Sequence, residues 1–169
     1  SYGNGKSEEV LGRVLMGRRN EAIIATKVSP NHLAMSDVLT SCEASLKRLQ
    51  TTYIDLYQIH WANRSVPLEE TVSALNTLKQ QGKIRSYGVC NFGARDLDDL
   101  LKRTTVPINQ LPYSLLWRVI EREILPACVK DNLGILCYSP LAQGLLTGRY
   151  ATADDVPLPL TFSRWFANT

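Results

Sequence analysis

Five short apolar runs in this chain each finish on a side chain that can hydrogen-bond or ionise: Lys27, His60, Cys90 with Asn91, Gln110, and Tyr138 with Ser139. Taken singly, each has a plain explanation. A lysine at a strand end is usually a solvated terminus, an asparagine before a helix is usually a cap, and a histidine on an apolar strand is usually a satisfied core residue. Taken together they read differently, because in a parallel α/β sheet the C-terminal strand ends share one face and chemistry gathers there. His60 is the sharpest case. It is one of two histidines and closes the run Tyr53 to Trp61, whose apolar, aromatic and β-branched residues read as a strand covered on both faces.

The elements that must position these residues follow from periodicity. Ser7 reads as an N-cap, with Glu8 and Glu9 in the first helical turn, Val10, Leu11, Val14 and Leu15 at helical spacing, and Gly17 as the stop. Strands are expected at Ala22 to Val28, Tyr53 to Trp61, Ser86 to Phe92, Pro107 to Leu111 and Gly134 to Leu141. Between them lie helices at Ser36 to Gln50, from Ser65 and Pro67 to Gly82, at Arg95 to Lys102, and around Ile120 to Lys130, where Pro126 breaks or delays the helix. Residues 151–169 show no period and read as a loop-like tail, 1–150 as the core of a single domain. Strands alternating with helices every twenty to thirty residues or so imply βαβ units and a parallel sheet. A doubly wound sheet and a barrel both satisfy that pattern.

Composition narrows the function classes. A length of 169 residues is enough for one domain with a sizeable core, and a net charge of +3 with interleaved acids and bases offers no nucleic-acid stripe. No apolar run approaches the roughly 18 residues of a membrane span, and no signal-peptide pattern opens the chain. The four cysteines, Cys42, Cys90, Cys128 and Cys137, form no C-x-x-C pair and lie away from both histidines, so reduced thiols in a cytoplasmic protein without a metal site are expected. Gly5-Lys6-Ser7 resembles the tail of a phosphate-binding loop but lacks the earlier glycine and the preceding strand.

Several ordered segments carry a more specific likeness. Tyr2-Gly3 with Ser7-Glu8-Glu9, Ala25-Thr26-Lys27, Ile54-Asp55-Leu56-Tyr57-Gln58-Ile59-His60-Trp61, Gly82-Lys83-Ile84-Arg85, Gly88-Val89-Cys90-Asn91-Phe92, Asn109-Gln110 and Tyr138-Ser139-Pro140-Leu141 together resemble the aldo-keto reductases. The runs at 111–116 and 144–148 look like the branch that also contains the potassium-channel β subunits. The resemblance implies an α/β fold of the (β/α)8 TIM-barrel type, with this chain holding about strands three to seven as an incomplete barrel.

It also implies an activity, the NADPH-dependent reduction of aldehydes or ketones, and roles for residues. Tyr2 resembles the proton donor, Lys27 the cation beside it and His60 the group that orients the substrate carbonyl, with Trp61 and Trp117 as pocket walls. A phenol ionises near about 10, so a neighbouring ammonium that favours phenolate brings it closer to neutral pH. An imidazole can donate where negative charge develops on the carbonyl oxygen. Cys90, Asn91 and Gln110 resemble the side chains that hold the nicotinamide carboxamide, and Tyr138 the ring stacked on it. Ser139, Leu141, Gly144 and Leu146 fall where the family wraps the pyrophosphate, partly through backbone amides.

The chain departs from the family pattern in places. Cys90 stands where most members carry serine, and a thiol is the poorer donor. The family's catalytic carboxylate would lie ahead of Ser1, and the strands that close the barrel and the basic segment that grips the adenosine phosphate are absent. A five-strand piece has two open edges, through which self-association is expected. The second reading is therefore a catalytically impaired fragment, or a non-catalytic subunit that senses cofactor and binds a partner.

Overall fold

The computed structural model describes residues 2–157, and of Tyr2 and Ala153 only the backbone. Helix α1 (Lys6–Val14) precedes four βα repeats and a fifth strand: β1 (Ala25–Val28), α2 (Met35–Leu49), β2 (Ile54–Ile59), α3 (Leu68–Gln80), β3 (Ile84–Cys90), α4 (Ala94–Leu101), β4 (Ile108–Pro112), α5 (Ile124–Lys130) and β5 (Gly134–Tyr138). The strands form one parallel sheet in the order β1-β2-β3-β4-β5. That order decides between the two architectures the sequence leaves open. A doubly wound sheet reverses its strand order and carries helices on both faces, whereas sequential order with right-handed crossovers keeps every helix on one face, as an arc of a (β/α)8 barrel does. Successive helices pack on one another accordingly, α1 on α2, α2 on α3 and α4 on α5.

The core lies between sheet and helices. Val28, Tyr57, Ile59 and Val89 meet Val38, Cys42, Leu46 and Leu49 of α2, Val72, Leu75 and Leu78 of α3, and Leu97 and Leu100 of α4. Each such side chain contributes about 1.5–3 kcal/mol by leaving water. The other sheet face, with alternate residues in register across the strands, is the concave side of the arc. Among the described residues β1 and β5 each pair on one side only, and no helix is long and apolar enough to cross a membrane.

Most element boundaries agree with periodicity within a residue or two, and the exceptions have physical causes. Strand β1 begins three residues later than expected, because the Ile24 N–H is held by the Asp55 carboxylate (2.9 Å) and the Ala22 carbonyl by the Arg19 guanidinium (2.7 Å). Strand β3 ends at Cys90 rather than Phe92, since Asn91 takes a left-handed φ of 60°, which asparagine tolerates better than most residues. Strand β5 stops at Tyr138, where Ser139 turns to φ 54°. The helix expected from Ile120 splits into a short 3-10 turn (Val119–Glu121) and α5, whose first turn holds Pro126.

Helix α1 is the main correction. Ser7 lies inside it rather than at its N-cap, a position taken by Gly5 at φ 93°. Val10, Leu11 and Val14 are exposed, and the residues turned inward are Glu8 and Gly12. Glu8 accepts hydrogen bonds from Thr26 Oγ1 and Arg48 Nε, both 2.6 Å. Burial would raise its carboxyl, but hydrogen bonds from Thr26, Arg48 and Ser45 outweigh that and hold it below the usual carboxylate range. Gly12 lets α1 sit directly on α2, since a Cβ there would meet the Arg48 carbonyl at 2.6 Å. Helix α1 is thus fixed by a charge and a close backbone approach, which periodicity does not report.

Candidate active site

Side chains alternate across a strand, so register assigns the concave face. Lys27 on β1 lies beside Gln58 on β2, Gln58 beside Gly88 on β3, Cys90 beside Gln110 on β4, and Pro112 beside Tyr138 on β5. His60, two residues beyond Gln58, is on the same side, and its backbone N–H still donates to the Val28 carbonyl at 3.0 Å. Five of the expected residues, Lys27, His60, Cys90, Gln110 and Tyr138, therefore share one face at the C-terminal end of the sheet.

Asn91 ties three of the strand ends together. Its left-handed turn directs the amide across the rim: Nδ2 donates to the His60 carbonyl (3.2 Å) and to Cys90 Sγ (3.2 Å), while Oδ1 accepts from the Tyr138 hydroxyl (2.8 Å). The Asn91 backbone N–H donates to the Gln110 carbonyl at 2.9 Å. Burial pushes the Cys90 thiol up to about 11, opposed by the Lys27 charge, so the thiol stays protonated near neutral pH. Trp61 is an exposed ring 6.4 Å from the His60 imidazole, tilted by 37°. A wall there covers one side only.

Two buried amides escaped the sequence reading. Asn109 is fully buried on the helix-covered face and clamps the Phe92 backbone from both sides, Nδ2 donating to the Phe92 carbonyl (2.9 Å) and Oδ1 accepting from the Phe92 N–H (3.4 Å). It extends β3–β4 pairing past the strand end and so fixes the turn at Asn91. Gln58 is likewise fully buried; its Nε2 donates to the Val89 carbonyl at 3.2 Å, and its Oε1 has no hydrogen-bond partner among the described residues. Its signal was available in sequence, since an amide two residues before His60 on an apolar strand must face the same way.

The strand register does not place the other expected residues. Tyr2 lies in a 3-10 turn (Tyr2–Gly5), and its side chain is outside what the structure describes. Ser139, Leu141, Gly144 and Leu146 occupy the loop after β5, with Leu141 exposed. There the Ala142 N–H donates to the Ser139 carbonyl, and the Gly144 and Leu146 N–H groups both donate to the Leu141 carbonyl. Those amides point into the loop. A cleft of about 290 Å³ lies on the opposite, outer side between α3 and α4, floored by Leu33, Ile59 and Phe92. Its rim charges are paired internally, Arg64 with Asp96 and Asp99, Arg103 with Glu69.

The donor set on the rim suits an uncharged carboxamide. Gln110 Oε1 is buried and lacks a partner among the described residues, so it offers an acceptor to an amide N–H. Asn91 is less available, both ends of its amide being engaged. Among the described residues no group of three or more His, Cys, Asp or Glu gathers as a metal site would require.

The profile of the Aldo/keto reductase family matches residues 1–160. Aldo-keto reductase YhdN of Bacillus subtilis (strain 168) is 39% identical over 161 residues, covering 88% of this chain and 48% of the relative. Methylglyoxal reductase YeaE of Escherichia coli (strain K12) is 40% identical over 145 residues, covering 84% and 51%. Among solved structures, an aldo/keto reductase from Klebsiella pneumoniae in complex with NADP and acetate superposes with a TM-score of 0.80 at 40% identity, over 88% of this chain and 52% of that one. The chain spans about half the length of the relatives it matches.

Proposed function

The chain belongs to the aldo/keto reductase family, and from that premise we propose that it carries the reductase site of a protein that converts aldehydes or ketones to alcohols with NADPH. The observation that carries the reading is the convergence of Lys27, His60, Cys90, Gln110 and Tyr138 on one end and one face of a parallel sheet. Small dicarbonyls of the methylglyoxal kind are the substrates to try first, since one relative is a methylglyoxal reductase. The unshared edges of β1 and β5 motivate association with further strands, from the same or a second chain.

In this reading Gln110 and Cys90 hold the nicotinamide carboxamide, with the second lone pair of Asn91 Oδ1 as a further acceptor, and the Tyr138 ring backs it. The bound nicotinamide supplies a hydride. His60 sits where an imidazole N–H can donate to the substrate oxygen as charge develops on it. Lys27 brings positive charge to that same face, favouring proton release by a phenol next to it, and Tyr2 is the phenol assigned to that step. Trp61 covers the substrate from the side of His60. The Asn91 link to the His60 carbonyl and the Tyr138 hydroxyl keeps substrate and cofactor residues in one frame, which matters because misplacement of about 1 Å can cost about 100-fold in rate.

The test is NADPH oxidation, followed by absorbance with methylglyoxal as substrate, in the protein that carries this chain. Turnover that disappears in Tyr2→Phe and His60→Ala, with NADPH still bound, is the expected result. NADPH binding without turnover on any of a panel of aldehydes and ketones would contradict the enzyme and leave a cofactor-binding subunit.

A further inference from the structure

Strands β1 and β2 lead to Lys27 and His60, and their pairing ends where the site begins. The register runs to Val28 beside Ile59, and the last ladder bond goes from the His60 N–H to the Val28 carbonyl at 3.0 Å. In a parallel ladder the next bond would run from the N–H of residue 30 to the His60 carbonyl, but residue 30 is proline, which has none. The His60 carbonyl is taken instead by Asn91 Nδ2 from the β3 side, at 3.2 Å. On the β1 side a side chain makes the connection.

That side chain is Asn63. Its Nδ2 donates to the Pro30 carbonyl at 2.7 Å, and its Oδ1 accepts from the Ser65 N–H at 2.9 Å. A carbonyl can only accept and a backbone N–H can only donate, so the two partners fix the orientation of the amide. Asn63 lies three residues beyond His60 and Pro30 three beyond Lys27, so one half-buried amide joins the two segments that leave these strand ends. Two side chains of α3 hold the same loop farther out: Thr71 Oγ1 donates to the Leu33 carbonyl (2.8 Å), and Glu70 accepts from the Met35 N–H (2.8 Å).

We propose that Asn63 is a positioning residue of the reductase site, standing in for the ladder bond that Pro30 cannot make and so setting Lys27 against His60. It acts through the two backbones and needs no contact with substrate or cofactor. The catalytic part of this inference rests on the function proposed above; the backbone restraint does not.

Two measurements on the protein that carries this chain separate those parts. Amide hydrogen exchange reads the restraint. Asn63→Ala is expected to speed exchange of the His60 N–H about tenfold, while the Leu56 N–H, which donates to the Ile24 carbonyl at the other end of β2 (3.1 Å), keeps its rate. Equal changes at the two amides, or none at His60, overturn the proposal. Steady-state kinetics reads the role. Asn63→Ala is expected to lower kcat about tenfold with the KM for NADPH unchanged, and by less than about twofold on a Lys27→Met background, because a residue that acts by placing another is non-additive with it. Thr71→Val removes a comparable bond farther from the strand ends and is expected to leave kcat within about twofold. An equal loss in both backgrounds, or the same loss from Thr71→Val, overturns the positioning role. Absence of wild-type turnover with the exchange difference present would refute the reductase reading alone.

Discussion

At the N-terminal end of the sheet the Asp55 carboxylate is matched by several donors; at the C-terminal end acceptors are left open. Asp55 accepts from Arg19 Nη2 (2.6 Å) and the Ile24 N–H (2.9 Å) and pairs with Arg85 (3.0 Å), and both guanidinium groups lie 4.1 Å from the Tyr53 ring centroid on which they stack. Burial would raise its carboxyl, but the Ile24 and Arg19 hydrogen bonds and the two arginine charges hold it below the usual range. At the opposite end Gln58 and Gln110 each present a buried oxygen without a partner among the described residues. One end of the same five strands is closed on itself and stabilises the fold. The other keeps unmet hydrogen-bonding capacity, which costs stability and suits a ligand.

The difference can be broken from either side. Asp55→Ala leaves the Ile24 N–H without its acceptor and removes one of several from Arg19, which keeps Thr51, Ala22 and Tyr53, and is expected to cost about 1–3 kcal/mol in denaturant unfolding, with kcat per folded molecule unchanged. His60→Ala should do the reverse, lowering kcat by about 10²–10³-fold with little change in thermal midpoint. If both variants lost stability and rate together, the two ends would not be functionally distinct.

Asn109→Leu tests the link between them. It orphans the Phe92 N–H and carbonyl, so about 2 kcal/mol of stability should go, together with a raised KM for NADPH as the Asn91 turn loosens. Cys90→Ser is the smallest perturbation. A hydroxyl is the better donor, and a gain of about 0.5–1 kcal/mol would tighten NADPH binding by about two- to fivefold in a fluorescence titration.

Acid separates the ends as well. Since Asp55 has a lowered value in the folded protein, its contribution is fully present above its unfolded value of about 3.9 and is lost as pH falls through the folded one. The thermal midpoint should therefore drop as pH is lowered below about 4, and drop less steeply in Asp55→Asn.

The sheet and its strand-end residues were legible because period-2 and period-3.6 patterns report which side of an element is buried. The pattern did not separate barrel from doubly wound sheet, since strand order is a property of pairing and not of any one strand. Helix α1 departs from its pattern for a related reason: Val10, Leu11 and Val14 have helical spacing yet face solvent, while Glu8 and Gly12 hold the helix through a half-buried ion pair and a close approach. At the rim, Lys27, His60, Asn91 and Gln110 announced themselves by type and position. Asn109 did not, because its importance is a two-way backbone clamp on a residue 17 positions earlier in the chain.

The most direct test of a site confined to the C-terminal end is single-turnover oxidation of enzyme-bound NADPH by a small aldehyde, comparing wild type with Lys27→Met. The account predicts that Lys27→Met binds NADPH as the wild type does but transfers hydride at least about 100-fold more slowly. Equal rates in the two proteins would contradict it.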